Sequence, residues 1–264
     1  MPGDAPKQSW KPESHLKEAD HWGEGATRRR IHLTGSAGQV VATIGDHNHS
    51  MRCTLRHDGQ VVTAAEPEFR RVTLNHCAGA AVPLAEIIGM PIAITPAEFF
   101  AGGRARRNCT HMLDLAWLAM RHACRPHGTR SYAIDIPDST DGNLTGELRR
   151  DGEVVLCWES EGQTIVSPER FAGQSLAGGI VSWIVNRSGL EGDELEAALV
   201  LHKGFFMVPS RQYRLVPGPI SDVERPLVTG ACYGFAAERI GEAVRRADLF
   251  HDFSERADEL LRFD

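Results

Sequence analysis

The sequence predicts an α+β fold: an antiparallel sheet with helices packed on one face, continuing into a second, β-rich α+β half. Three observations carry this. Short β-prone runs separated by Gly and Asp-Gly fill residues 28 to 69, "NCTHMLDLAWLAMRHAC" has helical periodicity, and strand patterns restart at "RSYAIDIPD". The organisation expected is an arm over residues 1–27, an α+β region over 28–127 and a second α+β region with a C-terminal helix over 128–264.

The opening 27 residues are polar and bear Pro and Gly, with no apolar signal core, so they read as a disordered lead-in and the protein as cytoplasmic. From there "RRRIHLTG", "QVVATIGD", "MRCTLRHDG" and "QVVTAAEPEF" read as strands. Asp58-Gly59 marks a hairpin, because the central positions of a two-residue turn favour positive φ. "AGAAVPLAEIIG" reads as a buried helix ended by Gly89, with Pro83 tolerated in a first turn. The next helix carries Leu113, Trp117, Met120 and Cys124 on one stripe and stops before Pro126 and Gly128.

In the second half, "RSYAIDIPD", "LTGELRRDG" and "EVVLCWESE" read as strands. Leu148 to Val155 matches Leu55 to Val62 at six of eight positions, which raises a repeated hairpin against convergence of two Asp-Gly turns. Helices are expected in "SPERFAGQSLAGGIVSWIVNR" and "GDELEAALVLHKG", an extended stretch in "MVPSRQYRLVPG", and a closing helix in "GFAAERIGEAVRRADLF".

The chain has 264 residues, 42% of them hydrophobic and 24% charged, enough for a sizeable core. No apolar run approaches the roughly 20 residues that span a bilayer. A net charge of -6 offers nucleic acid or an anionic membrane no general attraction. Arg28-Arg29-Arg30 and Arg104 to Arg107 read as solvated loop faces. Six cysteines without a secretory signal read as thiols, some of them potential ligands.

Two histidines in "DHNHSM", His47 and His49, stand ahead of a strand, and Cys77 and Cys109 follow, with His76 and His111 beside them. Imidazole and thiolate are the side chains that hold zinc or ferrous iron most readily, and two of each would make a tetrahedral site. The spacing matches no simple finger. The competing reading is two loop histidines, a small buried Cys77 and a helix-packing Cys109. His76 could carry protons or sit at a strand end, and Asp114 could orient a ligand imidazole or sit as a favourable charge near a helix N-terminus. No phosphate loop, dinucleotide fingerprint, nucleophile elbow or HExxH helix is present.

Residues 47 to 127, "HNHSMRCTLRHDGQVV" through Cys77 and a small-residue helix to "RNCTHMLDLAWLAMRHA", resemble the iron-sulfur scaffold proteins of the IscU and NifU type. That resemblance places His47 and His49, Cys77 and Cys109 on the positions that hold metal or cluster there. With imidazole in place of the first thiolate, it implies one zinc or iron ion rather than a cluster. The wider pattern of His49-Ser50-Met51, Cys77-Ala78, Cys109-Thr110-His111 and Cys232-Tyr233 resembles a bacterial family catalogued as a domain of unknown function, DUF2889. It favours His49, Cys77, Cys109 and His111 as a set, leaving His47, His111 or water for the fourth place.

The function expected is a metal-dependent lyase or hydrolase of small-molecule catabolism, with zinc or iron as Lewis acid and His76 or His111 moving protons. The alternatives are a scaffold-type metal or sulfur carrier, and a binding module with a structural metal. A small-molecule substrate is the expected partner, nucleic acid and membrane are not, and the oligomeric state stays open.

Overall fold

The computed structural model describes residues 17–262. Eight antiparallel strands form one sheet in the order β4-β3-β2-β1-β5-β6-β7-β8. These are β1 (Ala26–Ser36), β2 (Gln39–Asp46), β3 (Ser50–His57), β4 (Val62–Arg71), β5 (Gly128–Pro137), β6 (Asn143–Arg150), β7 (Glu153–Glu161) and β8 (Thr164–Ser167). Two long helices, α1 (Thr110–Ala123) and α2 (Gly192–Gln212), pack on the sheet. α1 crosses β2 and β3, α2 lies over β5, β6 and β7, and both reach β1. The α+β expectation is met.

The position drawn as a boundary, 127/128, falls between α1 and β5, and the sheet runs through it. β1 pairs with β5 from Ala26↔Pro137 to Gly35↔Gly128. Strand alternation in β1 then sorts its arginines: Arg29 shares the buried face with Ile31 and Leu33, while Arg28 and Arg30 stand on the other face and donate to Asp135. The expected solvated loop at Arg28 to Arg30 is therefore a central strand with one arginine inside.

Part of the expected arm, residues 1–16, lies outside the described residues. From Lys17 onward the chain is tied to the end of α2, with Arg214 N donating to the Lys17 carbonyl and Ala19 N to that of Gln212. Between Asp58 and Val61 a four-residue loop, not a two-residue turn, joins β3 to β4, whereas Asp151 and Gly152, at φ 53 and 91, form the tight turn between β6 and β7. The matching octapeptides thus close the third and fourth strands of one meander and the second and third of the other. An approximate two-fold axis between β1 and β5 would not superpose them.

Three expectations in the second half are corrected. α2 continues well past Gly204 and through Pro209. Gly204 is no helix end: a Cβ there would stand 2.5 Å from the Ile134 Cγ2, so glycine lets the helix lie close on the sheet. The expected helix at 167–187 is α-helical only over Ile180–Asn186, with a single 3-10 turn at Glu169–Phe171. The closing helix is replaced by short 3-10 turns and a strand pair, because Val244–Arg245 pairs with Gly218–Pro219 and Arg245 bridges to Leu74. Among the described residues no helix is long and apolar enough to cross a membrane.

Candidate active site

At one end of the sheet, Arg29 and Asp46 are direct partners across β1 and β2. Their side chains form an ion pair with essentially no exposure. Asp46 Oδ1 also accepts from the backbone N–H of Asn48 (2.9 Å) and of His49 (2.8 Å), which shapes the β2–β3 turn. Arg71 Nη2 closes that turn by donating to the carbonyls of Asp46 (2.6 Å) and His49 (3.0 Å). Burial alone would push the Asp46 carboxyl up. The His49 and Arg29 charges outweigh it and hold Asp46 well below the usual carboxylate range.

Asp46 Oδ1 then lies 3.0 Å from His49 Nδ1. An ionised carboxylate only accepts, so His49 Nδ1 donates to it, and Nε2 is the nitrogen the ring turns away from Asp46. In the first turn of α1, His111 has its ring centroid 4.1 Å from that of His49. Arg29 Nη2 stands 3.2 Å from His111 Nδ1. A guanidinium only donates, so Nδ1 accepts and neutral His111 carries its proton on Nε2. Burial first, and then His49, Arg29 and Lys203, hold His111 well below the usual imidazole range. Two adjacent rings thus meet opposite partners at Nδ1, an acceptor behind His49 and a donor behind His111. Neither Nε2 has a partner among the described residues.

The expected metal donors are not gathered about one point, and among the described residues no group of three or more His, Cys, Asp or Glu is placed to hold a metal ion. His47 turns away, with its Nε2 2.7 Å from Ser210 Oγ and its ring against Phe250. Burial above all lowers His47 to about 4. Cys109, at the α1 N-terminus, neighbours Cys77 and Cys232 rather than the histidines. Burial raises all three thiols, Cys77 to about 11, so none is a ready thiolate. His49 has the carboxylate behind it that a metal-ligating imidazole wants. His111 does not: ligation through Nε2 would need a proton on Nδ1, where Arg29 already points a donor. The donor set does not fit zinc or iron as arranged.

His76, expected as a proton carrier, donates from Nε2 to the Gly234 carbonyl (2.8 Å) and ties down the 232–235 turn. Asp114, one turn beyond His111, pairs with Lys203 Nζ of α2 at 3.0 Å and does not orient an imidazole. Arg29, Asp46, Lys203 and His202 were not singled out from the sequence. The alternation Arg29, Ile31, Leu33 was the signal that could have found the first of them.

Arg29 links the histidine pair to a cavity of about 300 Å³ between α1, α2 and the sheet. Its walls include Ile31, Ile44, Leu113, Trp117, Leu199 and Val200, with Thr110, Asp114, His202 and Lys203 as polar members. Such an apolar chamber with a few convergent polar groups is the usual form of a small-molecule site. No family model and no curated relative matches the chain.

Proposed function

We propose that the protein is an acid–base enzyme that moves a proton on a small molecule, with His49 as general base and His111 as the hydrogen-bond donor to the oxygen that gains charge. The observation that carries this is that two adjacent imidazoles are held at Nδ1 by opposite partners, the Asp46 carboxylate 3.0 Å from that of His49 and the Arg29 guanidinium 3.2 Å from that of His111. His49 Nε2 takes a proton from carbon next to a carbonyl. The C–H electron pair becomes the carbon–carbon double bond, and the carbonyl π pair moves to oxygen, which His111 Nε2–H meets. Asp46 stabilises the imidazolium formed on His49. A neutral imidazole serving as electrophile beside a separate base is an established catalytic pattern. Return of the proton to another atom gives isomerisation, and loss of a β-substituent gives a lyase reaction.

This reading replaces the Lewis acid of the sequence-based expectation with the protein's own N–H donors. The test has two parts. Long-range proton–nitrogen correlation on nitrogen-15-histidine protein is expected to give Nδ1–H on His49 and Nε2–H on His111 near neutral pH. Elemental analysis of untagged protein is expected to give substoichiometric zinc and iron. One metal per chain, with both histidine signals moving on chelation, would overturn the proposal in favour of a metal-dependent enzyme.

A further inference from the structure

Asp114 Oδ2 at this cavity has no hydrogen bond beyond its ion pair with Lys203 Nζ at 3.0 Å, and three further lining residues carry buried polar atoms without a partner among the described residues: Arg29 Nε, Trp117 Nε1 and His202 Nδ1. Buried polar groups are nearly always paired, so three at one cavity require an explanation. The first two can only donate. Burial, with Lys203 beside it, lowers His202 to about 3, so its ring stays neutral and has one N–H to offer.

The charges of the chamber already balance. Arg29 is matched by Asp46 and Lys203 by Asp114. A carboxylate entering here would be an additional buried negative charge without a free cation, which is costly. A neutral carbonyl oxygen accepts the same hydrogen bonds without that cost. In size, the cavity is about twice the roughly 150 Å³ chamber that takes up benzene in an engineered protein. It fits an aromatic ring or short branched chain with a further few atoms.

We infer that this cavity binds an uncharged, largely apolar carbonyl compound, such as an aryl-alkyl ketone, ester or thioester, whose acceptor oxygens meet Arg29, Trp117 and His202. The inference rests on the acid–base reading for the reaction that follows, and on the cavity alone for binding. Neither His49 nor His111 lines the cavity, and Arg29 is the residue that the cavity and the histidine pair share.

Titration calorimetry and saturation-transfer NMR with 4-phenyl-2-butanone and with 3-phenylpropionate test it. The ketone is expected to bind wild type at least about tenfold more tightly than the carboxylate, and Trp117→Phe to weaken the ketone about fivefold, the worth of one hydrogen bond. Val200→Phe, which fills the cavity, is expected to abolish binding, with the thermal transition recorded to separate a blocked site from an unfolded one. Equal or tighter binding of the carboxylate would overturn the ligand charge. No binding of either probe by folded wild type would overturn the cavity as a ligand site and leave it to water. Exchange of the ketone's α-hydrogens in heavy water separates the two proposals: binding without exchange sinks the acid–base role alone, while exchange lost in His49→Ala with binding kept supports both.

Discussion

Two buried polar clusters occupy opposite ends of the helix pair, and they differ in how completely they are paired. At the start of α2, Glu196 is fully buried and accepts from Arg125 Nη2 (2.9 and 3.0 Å) and from the Tyr132 hydroxyl, with Arg121 and Arg130 at 3.5 Å. Asp193 completes that network with Arg125, Arg130 and Arg150. None of these side chains has a buried atom left over. At the other end, Arg29 Nε, His47 Nδ1 and Asn48 Oδ1 are buried and unmatched among the described residues. A saturated network holds the helices to the sheet. An unsaturated one keeps hydrogen-bonding capacity unused.

The difference is sharpest if the histidine end is attacked first. His49→Ala is expected to lower kcat about 10²- to 10⁴-fold, the usual worth of a general base, while changing stability little, because only one hydrogen bond is lost. Steady-state kinetics on a ketone that exchanges, beside urea unfolding of the same variant, give both numbers. A stability loss as large as the rate loss would erase the distinction between the clusters.

Glu196→Ala is expected to do the reverse. It leaves Arg125 and its neighbours without their buried partner, which costs about 3–5 kcal/mol in urea unfolding. If that loss came to under about 1 kcal/mol, the saturated cluster would not be what anchors the helices.

Acid separates the clusters further. His47, His111 and His202 are held neutral well below 6.5, His47 to about 4 and His202 to about 3. In the unfolded chain they take up protons near 6.5. The unfolded state therefore binds more protons below that value, and stability falls as pH drops from 6.5 toward 4, by up to about 1.4 kcal/mol per unit for each ring. Below that, protonation of Asp46 adds a loss of the same sign. Unfolding curves at pH 7, 6 and 5 are expected to show the slope, and His202→Phe to reduce it by about one ring's share. A flat profile would show that these rings are already charged or solvated. The smallest effect is expected at Asp193, whose side chain is 41% exposed: Asp193→Asn is expected to cost no more than about 1 kcal/mol.

Much of the scaffold was legible because its signals are local. Strand alternation and Gly-bounded turns located the strands, and the stripe of Leu113, Trp117 and Met120 located α1. What the sequence concealed depends on distant partners. Gly204 and Pro209 look like breakers until Ile134 and the packing of α2 on the sheet are known. Residues 234–250 have a helical composition, but their conformation follows from pairing with Leu74 and Gly218. At the site, the sequence grouped His49, Cys77, Cys109 and His111; the fold brings the His49 and His111 rings to 4.1 Å, whereas Cys77 and Cys109 stand with Cys232. His47 turned out to face Ser210, 163 positions away, a contact no local pattern announces. Arg29 was hidden within a run of three arginines that composition assigns to the surface.

The central seam of the sheet also bears on how the chain is made. β1 is available once residue 36 has emerged, yet its partner β5 starts at residue 128. At about 5–20 residues per second, a ribosome leaves one edge of β1 bare for on the order of 5–20 s. The charges that β1 carries on its outer face, Arg28 and Arg30, are the kind that discourage an exposed strand edge from pairing with a stranger. The same strand supplies Arg29, so the nascent chain holds its buried arginine in a half-finished sheet until the second meander arrives to complete it.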